Sequence, residues 1–545
     1  MRLDRLLEIF LMGISLTLFL CLSLYQIELP GLYYDEAADA VPAMQILLGQ
    51  KVELVNNAGI WIGGHPFPIM VMDYVGAVNT YALLPLFSTL GINVFSLRLM
   101  PIIGGVLTLI LAYFLARELF NKWVAATAMI LLAVHPSFIF WTRQGIYITS
   151  IMSPLALGSL LSFQKWRNDG RSWALYLGFF LLGLGISAKI LFLWFIVAVG
   201  ILYFLLEWRR EGPVKPVTTY PLLTPRRLMG SIIAFVLGAW MILLYNIETQ
   251  GTLVVMRENL VSSQYGVNNL NFLGNMAKRL DNFKVLLDGG HFWFFGGVLT
   301  SNWYPPVFMA AAAVIALIMI FNRTARQQWR RVAVIFGLVA LVLIQSTVTI
   351  SSLWPTHLYI LLPFAIIIIA MGIDLLYRYV SSSSAITLVG VLVVLALVGQ
   401  SLYVDIKYHK LLEETGGRRT HSDAIYRLSS YLQARVDSRP VAMDWGIKNS
   451  VQILTQGKVS PLEVFQYTSE PNQTFYDWLY GTLMKGEHLY VFHSQDCTVY
   501  PRYEAFEAFA RKFSREVHLE ETIAEKDGTP IYEVYSVSLV KAGNA

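Results

Sequence analysis

Phe67-Pro68-Ile69-Met70-Val71-Met72-Asp73-Tyr74-Val75-Gly76-Ala77-Val78-Asn79-Thr80-Tyr81-Ala82-Leu83-Leu84-Pro85-Leu86-Phe87-Ser88-Thr89-Leu90 is long and apolar enough to cross a bilayer. It also carries Asp73, Asn79, Thr80 and Pro85, and it follows Gly63-Gly64-His65-Pro66. Whether it crosses decides on which side every later loop lies. The answer therefore sets the topology of the whole chain.

Of the 545 residues, 56% are hydrophobic and 14% charged, and mean hydropathy is +0.54. Soluble domains carry roughly 25% charged residues, so the composition is that of a polytopic α-helical membrane protein. Apolar runs of spanning length occur near 7–27, 96–117, 123–141, 148–164, 173–187, 189–206, 229–247, 304–321, 332–350, 354–376 and 385–403. If 67–90 does not cross, there are about 11 transmembrane helices, with the N-terminus cytoplasmic. The inside loops then hold 17 Lys and Arg against 8 outside, as the retention of positive charge on the cytoplasmic side requires. If 67–90 crosses, every later loop inverts and that bias is lost. The expectation is a juxtamembrane helix over 67–90, opened by His65-Pro66, within an outer loop 28–95. A second outer loop covers 248–303.

The first span lacks a small-residue cleavage site at Tyr25-Gln26-Ile27-Glu28 and reads as a retained anchor. Cys21 and Cys497 are too far apart in the expected topology to suggest a disulfide. The net charge of +5 comes from loops between spans and points to no nucleic-acid partner. Residues 1–403 thus form a transmembrane domain. Residues 404–545 have soluble periodicity and read as an extracytoplasmic α/β domain. Pro440–Asp444 and His488–His493 look like buried strands, and Tyr503–Lys512 like an amphipathic helix. Val517–Ile523 and Pro530–Leu539 form a hairpin across Asp527-Gly528.

Three carboxylates, Asp35, Glu36 and Asp39, lie within five residues just after the first span. Ionisable groups beside lipid are costly and mark candidate functional sites. Helix capping is the competing reading, because acidic residues favour helix N-termini; it suits Asp39 best. Arg143 stands at the outer end of one span and Lys189 in a very short outer turn. Either could hold a lipid phosphate or simply snorkel. His65, His291 and His357 add outer-face polar groups, each of which could equally be an interface residue.

Taken in order, these pieces resemble the GT-C superfamily of membrane glycosyltransferases, in particular the protein O-mannosyltransferases and the aminoarabinose transferases of lipid A. The matching motifs are Tyr34-Asp35-Glu36, His65-Pro66, Phe95-Ser96-Leu97-Arg98-Leu99-Met100-Pro101, Trp141-Thr142-Arg143 and Ser187-Ala188-Lys189. The resemblance implies that Asp35 is the catalytic carboxylate with Glu36 in support. It implies that Arg143 and Lys189 hold the donor phosphate, and that His65, Tyr34, Tyr147 and His357 line the acceptor cavity. Segment Gln144–Ile148 carries no acidic residue, where many relatives have one. The implied partners are membrane lipids, a polyprenyl-phosphate-linked sugar donor, and a protein, lipid or glycan acceptor outside the plasma membrane. Cofactors are unknown, and dependence on a divalent metal is left open. The competing class is non-enzymatic: a lipid-carrier transporter or flippase, or an inactive scaffold of the same fold.

Overall fold

The computed structural model describes residues 2–144, 149–208, 224–258, 260, 268–348, 354–379, 384–485 and 488–539. The first helix, α1 (Arg2–Leu24), ends in a turn where Gln26 has φ 52°. Helix α2 (Tyr34–Leu47) follows, carrying Asp35 and Glu36 in its first turn. The capping box is formed by Tyr33, whose N–H donates to Glu36 Oε1 at 3.4 Å.

Segment 67–90 is not one helix, which corrects the expectation for it. Strands β1 (Gly59–Ile62) and β2 (His65–Pro68) pair as a hairpin, and β3 (Met70–Met72) pairs with β4 (Val75–Gly76). Gly63 and Gly64 both adopt positive φ and make the first turn. Only Val78–Leu90, α3, is helical, and 13 residues are too few to span hydrocarbon. Segment 67–90 is accordingly not among the helices long and apolar enough to cross a membrane.

Helices α4 (Val94–Leu119), α5 (Lys122–Ala133), α6 (Pro136–Gln144), α7 (Thr149–Asp169), α8 (Ser172–Ala188), α9 (Leu193–Trp208) and α10 (Pro225–Thr249) build the first half of the bundle. Asn93 caps α4 by accepting from Ser96 N at 2.9 Å, and Asn121 caps α5. Among the described residues, six helices are long and apolar enough to cross a membrane. They are Leu6–Leu24, α4, α10, Tyr304–Phe321, Pro355–Tyr379 and Ser384–Thr415. The expected span 123–141 is instead the pair α5 and α6, bent by 60°, with Pro136 starting the second helix where a proline N–H is not needed. The remaining expected spans coincide with α7, α8, α9 and Trp329–Gln345. The chain is an integral, polytopic helical membrane protein.

Toward the C-terminus a five-stranded sheet has the order β6-β5-β7-β9-β8. Its strands are β5 (Val441–Ala442), β6 (Leu462–Glu463), β7 (Tyr490–His493), β8 (Arg515–Ala524) and β9 (Pro530–Leu539). Strand β5 runs parallel to both β6 and β7, while β9 is antiparallel to β7 and β8. Helix α2 joins the two halves. Its Ala37, Ala40, Val41 and Met44 recur at helical spacing and pack with Leu83 and Phe87 of α3, Val94 and Leu97 of α4, and Ile453 from helix Lys448–Leu454.

Close backbone contact fixes strand β4 against the end of α8. A Cβ on Gly76 would lie 2.0 Å from Ser187 O. Val75 bridges to Lys189, and Ile190 N–H donates to Tyr74 O at 3.1 Å. Gly76→Ala should therefore separate this strand from α8 and lower the unfolding temperature by several degrees, as overpacking costs roughly 1–3 kcal/mol. Gly13→Ala, with nothing within 4 Å of its Cβ, is the control and should leave it unchanged. Equal melting curves for the two variants would contradict this packing.

Candidate active site at the N-terminus of helix α2

The turn after α1 would leave its carbonyl groups without helical partners. Two buried arginines take them up. Arg98 Nη1 donates to Ile27 O at 2.6 Å and Nη2 to Gly31 O at 3.4 Å. The same guanidinium grips Glu36 with both arms, Nε to Oε2 at 2.8 Å and Nη2 to Oε1 at 2.9 Å. Both side chains are fully buried. Arg143, also fully buried, donates from Nη2 to Tyr25 O at 2.7 Å and to Gln26 O, and its Nη1 meets His409 Nδ1 at 3.3 Å.

The Glu36 carboxylate is occupied by Arg98 and so positions the start of α2. Arg143 spends its two Nη groups on main-chain carbonyls and His409, which ties the end of α1 to α6 and to helix Ser384–Thr415.

Asp35 is buried in the first turn of α2. Lys189, 2% exposed, is held by the β4 bridge where it attracts both Asp35 and Asp39 electrostatically. Asp39 accepts from Asn79 Nδ2 at 2.8 Å, and Thr80 Oγ1 donates to Asp39 O at 2.9 Å. Burial raises the Asp39 carboxyl to about 6, against the opposing pull of Asn79 and Lys189. An apolar groove of about 320 Å³ between α3, α4 and α7 is lined by Asn79, Pro85, Met100, Leu107, Ile151 and Pro154.

Tyr34 donates its hydroxyl to Glu463 Oε1 at 3.3 Å and lies 4.9 Å from the Trp445 ring. His357 sits in a buried 3₁₀ segment, Pro355–Leu361, whose Tyr359 hydroxyl meets Thr142 Oγ1 at 2.7 Å beside Arg143. His65 is exposed at the tip of the β1–β2 hairpin, opposite Ile62. The structure does not bring it to Asp35, because the two-glycine turn carries it outward. Tyr147 lies outside the described residues. His291 stacks on Trp141 at 4.9 Å. Among the described residues, no group of three or more His, Cys, Asp or Glu side chains is arranged to hold a metal ion.

The sequence reading missed Arg279. It is fully buried on helix Phe272–Asp288. Its Nε donates to Ser346 O at 2.8 Å, and its guanidinium lies 5.8 Å from the ring of Trp194, five residues beyond Lys189. Among the described residues, Nη1 and Nη2 have no hydrogen-bond partner. The spacing of Asn275, Arg279, Phe283 and Leu286 on the buried face of that helix was the available signal.

A model of the dolichyl-phosphate-mannose-protein mannosyltransferase family matches residues 78–245. A comparison with the sequences of characterised proteins finds no match. Among solved structures, ArnT from Cupriavidus metallidurans bound to undecaprenyl phosphate is similar, with TM-score 0.60, 11% identity, and 96% of this chain and 97% of that chain covered. The archaeal oligosaccharyltransferase AglB from Archaeoglobus fulgidus, in complex with an inhibitory peptide and a dolichol-phosphate, has TM-score 0.53 and 13% identity, covering 99% of this chain and 75% of that chain. The fold is thus that of the GT-C membrane glycosyltransferases, and the chain resembles their mannosyltransferase and ArnT branches.

Breaking the Arg98–Glu36 pair from either side tests its structural role. Arg98→Met leaves a carboxylate buried without its partner and should destabilise by about 3–5 kcal/mol. Glu36→Gln keeps two hydrogen-bonding atoms and should cost less; thermal unfolding in detergent orders the two, and the reverse order would contradict the assignment. Asp39 gives a pH signature. Its folded value of about 6 exceeds the ordinary 3.8, so the folded state holds the proton more tightly, and stability falls as pH rises from about 4 to 6. Asp39→Asn should flatten the melting temperature across that window. An unchanged slope would place Asp39 in a more solvated setting.

Proposed function

We propose that the chain is an inverting glycosyltransferase that moves a sugar from a polyprenyl-phosphate carrier to an acceptor hydroxyl on the extracytoplasmic side. The observation that carries this is the pinning of Lys189 by a backbone bridge beside Asp35. That arrangement pairs a candidate base with a candidate phosphate ligand. Asp35 takes the proton from the acceptor hydroxyl, a task requiring hydrogen-bond reach of the nucleophile. The acceptor oxygen bonds to the anomeric carbon as the carbon–oxygen bond to the phosphate breaks. The departing electron pair stays on the lipid phosphate.

Charge developing on that phosphate is stabilised by fixed cations in a site of low dielectric. Lys189 supplies one, and Arg279, whose Nη groups have no partner among the described residues, supplies the second. Arg143, given this role by resemblance, acts through position instead: it holds the main chain on which Asp35 depends. The groove that Asn79 helps to line offers the carrier's apolar chain a path to the Asp39 and Lys189 end of α2. The family match and the shared fold support the reaction class. The identity of the sugar stays open.

Asp35→Asn should lower transfer from a polyprenyl-phosphate sugar by roughly 10²–10⁴-fold while the melting temperature holds. Lys189→Met and Arg279→Met should each raise the donor KM about tenfold or more. Near-normal turnover by a folded Asp35→Asn protein would overturn the assignment and favour a transporter or scaffold.

A further inference from the structure

The C-terminal sheet presents a built surface to the Asp35 end of α2. Its parallel strands β6, β5 and β7 lead, at their carboxyl ends, into the loops carrying Tyr467, Trp445 and Tyr500. The crevice outside such strand ends is a common ligand site in open sheets. Phe465, Tyr467 and Tyr500 contact one another, with ring centroids 4.9, 5.1 and 5.9 Å apart. Tyr467 is 63% exposed. Trp445 is half-buried and packs on Tyr33 as well as Tyr34. The Tyr34 hydroxyl donates to Glu463 Oε1 at 3.3 Å, and Asp35 lies within electrostatic reach of Tyr34 and Tyr467.

The loops are fixed from beneath. Buried Asp444 accepts from Trp445 N at 2.8 Å and Tyr500 N at 2.9 Å through Oδ1. Its Oδ2 accepts from Val499 N and meets His493 Nδ1, each at 3.0 Å. Arg502, also buried, clamps the Tyr467 loop through Phe465 O at 2.8 Å, Ser469 O at 3.1 Å and Thr468 O. One carboxylate and one guanidinium thus preorganise three aromatic side chains, at a place where the fold needs none exposed.

We infer that this shelf is the acceptor subsite and that its ligand is a neutral saccharide, stacked on Tyr467 and Trp445 with its hydroxyls on Glu463. Aromatic faces are electron-rich and suit the polarised C–H face of a sugar ring. A carboxylate accepts hydroxyl hydrogen bonds strongly. An anionic acceptor is disfavoured by Glu463 and Asp35, since like charges at an interface repel; the nearby Lys448 is paired with Glu53 at 2.9 Å. This inference rests on the transferase reading above, because it assigns the shelf to that reaction.

The test uses the full chain in detergent and a panel of neutral gluco-, manno- and galacto-configured trisaccharides. Saturation-transfer NMR should detect binding of at least one of them. The bound trisaccharide should also accept sugar from the donor. Tyr467→Ala, at an exposed position that tolerates truncation, and Trp445→Ala should weaken binding tenfold or more and raise the acceptor KM to match, with kcat changed less than threefold. Absence of binding to the wild-type protein would overturn the inference. So would binding unaltered in both variants, or efficient transfer to a serine-containing peptide with a KM that neither substitution changes. Release of free polyprenyl phosphate from the donor, with cell-envelope extract as the source of acceptor hydroxyls in place of the trisaccharides, reports the transferase reading alone. If release is absent while trisaccharides bind, the transferase reading falls, and the shelf is a saccharide-binding surface without the acceptor role; if release proceeds and trisaccharides do not bind, only the subsite falls.

Discussion

Everything at the site hangs on the grip of two buried arginines on residues 25–31. Burying a guanidinium is expensive unless its donors are satisfied. Here the acceptors are the carbonyls that the end of α1 leaves exposed, supplemented by the Glu36 carboxylate. The arrangement solves two problems together. Orphan carbonyls gain partners, and the chain leaving the first span is fixed in position immediately before Asp35. Arg98 belongs to α4 and Arg143 to α6. The location of the catalytic candidate is therefore set by helices distant in sequence.

The same segment is held from the other direction. Gly31 N donates to His421 O at 2.8 Å, and a Cβ on Gly31 would meet Ser422 O at 2.1 Å. His421 is sandwiched between Tyr33 and Phe294, at 4.1 and 4.0 Å. Burial and the nearby Arg98 charge hold its imidazole down to about 3, so it packs as a neutral ring. Helix α2 consequently reads the position of the membrane bundle and of the C-terminal sheet at once. A substitution far along the chain, at His421, acts on the same turn as one in the first span.

Much of this was legible in the sequence, and the failures have physical causes. Asp73 and the Gly63-Gly64 pair mark 67–90 as ambiguous, and the loop-charge count favours no crossing. The hairpins there escaped notice because strands of two to four residues leave almost no periodicity, and Met and Val suit helix and strand alike. His65 stands exposed beside the two-glycine turn. Glu36 and Arg143 were recognised as unusual charges, but a sequence does not say which charge pairs with which. Arg98 stands within the Phe95–Pro101 motif at the start of a span; its role needs the carbonyls of residue 27 and residue 31 in three dimensions. Arg279 was hidden beside Lys278, where a pair of basic residues reads as solvent-facing. The periodicity of its helix turns the second of them inward.

The central claim is that Lys189 and Arg279 form the cradle for the lipid phosphate next to Asp35. A structure of the full chain determined with polyprenyl phosphate bound tests it most directly. The account predicts phosphate oxygens within hydrogen-bond distance of Lys189 Nζ and the Arg279 Nη groups, with Asp35 facing the same space. Phosphate bound elsewhere, with both cations turned to protein partners, would contradict it.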